Sequence, residues 1–270
     1  MLARLTSLIV PILLAGIHQV QANATLEYQV LNGQKSTLQT VHVQNGTIFI
    51  KAAGGDETTD VLFERSGNRL TLINHRKQRQ TPITEDSIKR LAGQMEDVAP
   101  LVRGLGAQLN KLDPKQKAKW EKMLGGVPLG GIGQAEQAIK DATLKQMGKT
   151  TIAGVACEQM RMTGTPSGDA EFCLAQPEAL GLSVEDAETL LALTRFVHGV
   201  TSKAHGLASQ FGLALAAVDI DRMNGIPLQV RELRGKHPLS LIYQRCDANA
   251  PPVADMTIPA HYQTDKLRLW

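Results

Sequence analysis

Aromatic residues are scarce. Five Phe, three Tyr and two Trp make up 4% of 270 residues, so any core must be mostly aliphatic. Charge of one sign is missing too. The formal net charge is +3, and removal of an N-terminal leader carrying Arg4 would leave the rest close to neutral. A nucleic-acid binder would need a strongly basic face, so that class is disfavoured. Cysteine is limited to Cys157, Cys173 and Cys246, all in the second half.

The sequence patterns of catalysis are also missing. Ser167 has no glycine two residues before it, which removes a Gly-x-Ser-x-Gly elbow. No His-Glu-x-x-His occurs, and the histidines at 42, 75, 198, 205, 237 and 261 are scattered. His198 and His205 are one heptad apart, beyond the adjacent-turn spacing that chelates a metal on a helix. Gly131 and Gly133 are followed by no helix-opening glycine at the right offset, so a dinucleotide loop is unsupported. Cys157 and Cys173 are too far apart for a redox Cys-x-x-Cys. No nucleophile–base pair, metal site or cofactor can be named, and the expected class is non-enzymatic.

What is present begins with an export signal. Arg4 supplies a positive start and Leu5–Ile17 an apolar core. Ala22-Asn23-Ala24 is a small-x-small cleavage site, with Val20-Gln21-Ala22 as its competitor. The run is short for a bilayer span and is interrupted by Pro11. Cleavage near Ala22 or Ala24 and a periplasmic location are therefore expected. In an oxidising compartment paired cysteines read as a bridge. Three single pairings exist. Cys157–Cys173 is favoured, because both residues sit on strand-like segments flanking one turn, leaving Cys246 buried or free for an intermolecular bond.

From Thr25 to Ile83 short alternating runs are separated by turns such as Gln44-Asn45-Gly46 and Ser66-Gly67-Asn68. This predicts an antiparallel meander, with the basic piece Arg76–Ile83 at its edge. The period then changes. Thr84 to Ser87 can cap a helix whose apolar stripe is Ile88, Leu91, Met95, Val98, Val102, Leu105 and Leu109, with a kink or break at Pro100. Asp113-Pro114 starts a second, shorter helix through Trp120, and a Gly-rich linker follows. Residues 84–148 thus read as a helical insertion with its linker, the polar stretch Gln134–Lys145 being helix-permissive.

The remainder of the sheet is expected over residues 149–263. It opens with a strand through Thr151–Cys157, a turn at Gly164–Gly168 and a return through Glu171–Ala175. Ser183, with Asp186 in the capping-box position, begins a long helix over 183–217. Its stripe is Leu190, Leu193, Val197, Val200, Ala204, Leu207 and Phe211, which predicts one face laid on a sheet. Two strands (Ile226–Leu233 and Leu239–Arg245) and a polar tail from residue 264 complete the chain. Strands clustered in blocks favour an α+β layer over a doubly wound sheet. Neither long helical pattern is membrane-spanning, since each carries charges opposite its apolar stripe. The lysines at 111, 115, 117, 119 and 122 around Trp120 read as an ordinary solvated face.

Several segments together resemble a known family. Ile152-Ala153-Gly154-Val155-Ala156-Cys157-Glu158, Glu171-Phe172-Cys173-Leu174-Ala175, Pro177–Leu182, Gly225-Ile226-Pro227-Leu228 and Ile258–Tyr262 are similar to exported bacterial proteins of unknown function. That family is itself similar in outline to the periplasmic lipoprotein carrier LolA and its relatives. Leu112–Lys117 and Met123–Gly126 resemble its helical insertion. Met256, where an aromatic would be expected, and Cys246 depart from the pattern. The resemblance implies a curved antiparallel half-barrel with helices covering its concave face. It implies no activity.

Two functions follow as expectations. The first is a periplasmic protein enclosing a hydrophobic or lipid-like ligand between sheet and helices, lined by Met95, Val98, Val102, Val197, Val200 and Leu207. The alternative is an envelope interaction or sensor protein that docks a protein partner through its helical insertion.

Overall fold

In the computed structural model, the described residues are 23–53, 58–91, 93–94, 113, 116, 119, 143–164, 169–210, 225–233, 238–253 and 256–267. For 198 and 201–210 the description is of backbone alone. They build one sheet of 12 strands. The first block is β1 (Asn23–Asn32), β2 (Lys35–Gln44), β3 (Thr47–Ile50), β4 (Thr59–Glu64), β5 (Arg69–Asn74) and β6 (Arg79–Ile83). The second is β7 (Thr143–Ile152), β8 (Val155–Thr163), β9 (Ala170–Ala175), β10 (Ile226–Glu232), β11 (Leu239–Asp247) and β12 (Gln263–Thr264).

The spatial order is β12-β6-β5-β4-β3-β2-β1-β11-β10-β9-β8-β7. All neighbours are antiparallel except β12, which runs parallel to β6. The two sequence blocks are therefore joined by β1 against β11, with Leu26 opposite Cys246 and Tyr28 opposite Tyr243. The sheet is curved and unclosed. β7 and β11 stand four strand positions apart, about 19 Å in a flat sheet, yet Cα atoms of the two come within 8 Å. Bulges at Glu27/Tyr28, Pro227/Gln229 and Gln146/Gly148 accompany this curl.

Alternation decides which side chains go inward. β1 buries Ala24, Leu26, Tyr28 and Val30, and β2 buries Val41 and Val43. Ala24, Leu26, Tyr28, Val41 and Val43 form the main core together with Ile48, Phe63, Cys157, Cys173, Ile226 and Leu228. Complete burial of an aliphatic side chain such as Leu26 or Leu228 contributes about 1.5–3 kcal/mol.

Helix α1 (Val184–Gln210) lies against this core. Its 27 residues span about 40 Å at 1.5 Å per residue. The predicted cap is present, with Ser183 Oγ accepting from the Asp186 N–H at 3.1 Å and donating to the Asp186 carboxylate at 2.8 Å. Leu190 and Phe196 are buried, and Phe196 meets Phe63 with ring centroids 5.6 Å apart. The predicted stripe is right at Leu190, Leu193 and Val200 but slips by one residue between them. Phe196 faces the sheet, whereas Val197 is 44% exposed.

Three boundaries differ from the sequence reading. Residues 151–157 do not form one strand: Ala153 (φ 48°) and Gly154 (φ 82°) make a two-residue turn joining β7 to β8. β7 begins at Thr143, inside the stretch expected to be linker and helix-permissive. Its residues are nearly all exposed, as an unpaired sheet edge tolerates, and they carry no burial alternation that would announce a strand. The tail adds β12 to the far edge. The Gly-Thr-Pro-Ser-Gly turn at 164–168 lies largely outside the described residues, as do most of the insertion and residues 211–217 of the long helix.

Candidate functional site

The helical stretch 85–91 starts where the sequence placed it. Thr84 Oγ1 accepts from the Ser87 N–H at 3.1 Å, and Ser87 Oγ accepts from the Thr84 N–H at 2.8 Å. This reciprocal cap aims Ile88 inward, where it is buried. The same cap sets the stretch beside α1 and the β4–β5 turn. Between these three elements lies a cleft of about 340 Å³. Its apolar lining is Ile88, Ala192, Phe196 and Val200, and Gly199 contributes backbone. Asn68, Glu85 and Arg195 add polar groups. Glu85 pairs with Lys89 at 3.5 Å. Among the described residues Arg195 has no carboxylate within ion-pair distance.

Of the lining predicted from sequence, Val200 is in this cleft and is half-buried. Val197 is exposed beside it. Met95, Val98 and Val102 lie outside the described residues, as does the Leu207 side chain. Phe196, Ile88 and Ala192 were missed as lining. Ile88 and Phe196 carried a usable signal: one is the first apolar position after a cap, the other sits between stripe positions three and four residues from its neighbours.

Two polar clusters were not legible at all. His75 joins Asp60 and Tyr262: Nε2 lies 2.8 Å from Asp60 Oδ2, and Nδ1 lies 2.8 Å from the Tyr262 hydroxyl. Asp60 is buried, and its other oxygen accepts from the Ala52 N–H at 2.9 Å. The three come from β4, the end of β5 and the tail, so no local spacing announces them. The chain of contacts has the order of a hydroxyl–imidazole–carboxylate relay. Its surroundings fit a tie better: Tyr262, Met256 and Ile258 pack on Phe49, Leu62 and Ile73. Arg79 holds Asp265 at 2.7 Å just beyond. The cluster fastens the tail across the sheet.

The second cluster is Glu171 between Arg161 and Arg231. Its carboxylate is buried and accepts from Arg161 Nε at 3.0 Å, from Arg161 Nη2 and from Arg231 Nη2. Hydrogen bonding from Arg161 first, and from Arg231 next, holds the carboxyl below its ordinary value.

The predicted disulfide joins Cys157 to Cys173, Cα atoms 5.5 Å apart. Cys246 is a free, half-buried thiol, pushed up to about 11 by burial and then by Asp247 and Asp186. At neutral pH it is a poor nucleophile. Among the described residues no group of three His, Cys, Asp or Glu could hold a metal ion, and no helix is long and apolar enough to cross a membrane.

No protein-family model and no curated protein matches the chain. Among solved structures the chain is similar to an uncharacterized conserved protein from Thermus thermophilus, at 7% identity and a TM-score of 0.42. That match covers 91% of this chain and 90% of the other. It is also similar to the Pseudomonas aeruginosa MucA/MucB complex, at 14% identity and TM-score 0.28, covering 90% of this chain and 58% of that one. A LolA-superfamily protein from Nitrosomonas europaea matches at 9% identity and TM-score 0.25, covering 86% and 87%. Likenesses this loose leave the fold to be read from the strand order and register above.

Proposed function

We propose that this is an exported, non-catalytic protein that holds an apolar chain in the cleft between α1 and the helical stretch 85–91. The observation that carries the reading is that cleft. Ile88, Ala192, Phe196 and Val200 offer an apolar lining, and Asn68, Glu85 and Arg195 stand with them as the polar groups that orient a ligand. A volume of about 340 Å³ is at the lower end of ligand sites, which run from roughly 300 to 1,000 Å³. In this reading the curved sheet is a half-barrel with both helices on its concave face.

The compartment belongs to the same proposal. Asn23 and Ala24 are buried in β1, and Ala24 pairs with Val43. Cleavage after Ala22 leaves that strand whole, whereas cleavage after Ala24 removes two buried positions from it. The exported protein therefore starts at Asn23, in the periplasm, where the Cys157–Cys173 bridge forms.

Native mass spectrometry of protein purified from a bacterial envelope tests the function. A bound lipid-sized adduct that Val200→Glu abolishes is the expected result. A clean apo mass for the wild type would overturn it.

A further inference from the structure

Four charged residues stand side by side across four neighbouring strands. Lys145 on β7 is the register partner of Arg161 on β8. Arg161 is the partner of Glu171 on β9, and Glu171 the partner of Arg231 on β10. Register partners share a face of the sheet, so the row reads cation, cation, anion, cation along one line. Like charges directly opposite each other on paired strands are destabilising. Here Lys145 faces Arg161, and the one carboxylate of the row is already shared by two guanidiniums.

The row is also prearranged. Glu171 is 3% exposed in its side chain, while Arg161 and Arg231 are 42% and 48% exposed. The buried carboxylate fixes one edge of each guanidinium and leaves the rest toward solvent. Arg161 uses Nε and Nη2 on Glu171, and Arg231 uses Nη2. Of the five N–H donors on each guanidinium, most have no partner among the described residues and can meet an oxyanion. Lys145 is exposed and adds three more. Three register rows away on β8, Glu158 pairs with Lys149 and Leu174, and this odd offset from Arg161 points it to the opposite face. Glu232 is likewise out of step with Arg231, and it accepts from the Leu239 N–H.

We infer that Lys145, Arg161 and Arg231 form a phosphate-binding site whose geometry is set by the buried Glu171. Its ligand is a phosphate oxyanion, carried by a free phosphate or by a phospholipid headgroup. Arginine forks match such oxygens two at a time, and the lysine adds a point charge.

The test uses the full exported chain. Inorganic phosphate is titrated by 31P NMR, and co-sedimentation is measured with phosphatidylcholine vesicles with and without phosphatidylglycerol. Lys145→Gln is the main variant, because Lys145 is exposed on an edge strand and outside the buried ion cluster. Arg231→Gln is the second, with circular dichroism as the check on folding. The expected result is binding that weakens with added salt and falls about three- to tenfold in Lys145→Gln, at a melting temperature no lower than that of the wild type, since the change relieves the Lys145–Arg161 repulsion. Phosphate binding assigns a free ligand, and phosphatidylglycerol-dependent binding alone assigns a headgroup. Absence of both in the wild type, or equal binding by the wild type and the folded variants, would overturn the site.

Discussion

The hydroxyl of Tyr262 sits 2.8 Å from Nδ1 of His75, a residue 187 positions earlier in the chain. With a neutral imidazole, Nε2–H donates to Asp60 and Nδ1 accepts from the tyrosine, so every polar atom in the tie is matched. Tyr262→Phe removes one hydrogen bond and should cost about 1 kcal/mol. Asp60→Ala strands both His75 Nε2 and the Ala52 N–H and should cost more, about 2–3 kcal/mol. Urea melts of the two variants check the ranking. Equal stability of Asp60→Ala and wild type would contradict the tie.

The Cys157–Cys173 bridge closes a loop with a sequence separation of 16. Chain-entropy reasoning gives it about 3 kcal/mol. A Cys157→Ser, Cys173→Ser double variant should lose roughly that in a denaturant melt. Alkylation followed by mass spectrometry adds a second reading. At pH 8 the native protein should take up one label slowly, at Cys246, because burial keeps that thiol protonated. The unfolded, unreduced chain should take up the same single label quickly, and reduction should raise the total to three.

Glu171 should make stability pH-dependent in a defined direction. Its folded value is depressed from 4.5 by Arg161 and Arg231. Its contribution is therefore fully present above about pH 4.5 and is lost as pH falls through the lower folded value. Glu171→Gln should be less stable than wild type at pH 7, and the gap should narrow in the window below the ordinary value of 4.5 as the pH falls. A gap that stays constant across that window would exclude the linkage.

Two backbone positions invite opposite outcomes. Ala153 holds φ at 48°, where a non-glycine residue pays a steric penalty and asparagine is better tolerated. Ala153→Asn should raise stability by about 0.5–1 kcal/mol. Gly225 has φ at +154°, and a Cβ there would stand 2.8 Å from the Ala175 carbonyl oxygen. Gly225→Ala should lower the melting temperature and loosen the β9–β10 pairing. Amide exchange at Phe172 and Cys173 would show that loosening.

Much of the fold is legible in the sequence because alternation and caps are local. Leu26, Tyr28 and Val30 announce β1, and Ser183 with Asp186 announces α1. What was not legible depends on distant partners or on weak punctuation. The Ala153-Gly154 turn lacks the asparagine that usually marks such a hairpin, so β7 and the start of β8 read as one strand. The Phe196-for-Val197 slip reflects a choice between adjacent apolar residues that only the shape of the opposing surface, here Phe63, can make. His75, Asp60 and Tyr262 meet through the sheet order, as do Arg161, Glu171 and Arg231. The cleft depends on such distant neighbours too: Asn68, Ile88 and Phe196 come from three separate stretches, and of the residues expected to line a cavity Val200 is the one whose described side chain borders it.

The joining of β1 to β11 has a consequence for the order of synthesis. Residues 23–32 are synthesised early, yet their partners at 239–247 are made almost last. Until then the early meander carries an open, apolar border with unsatisfied amide groups. Completion of the sheet must wait for that final stretch, and a chain cut short before residue 239 should clump or be degraded rather than persist as half a protein.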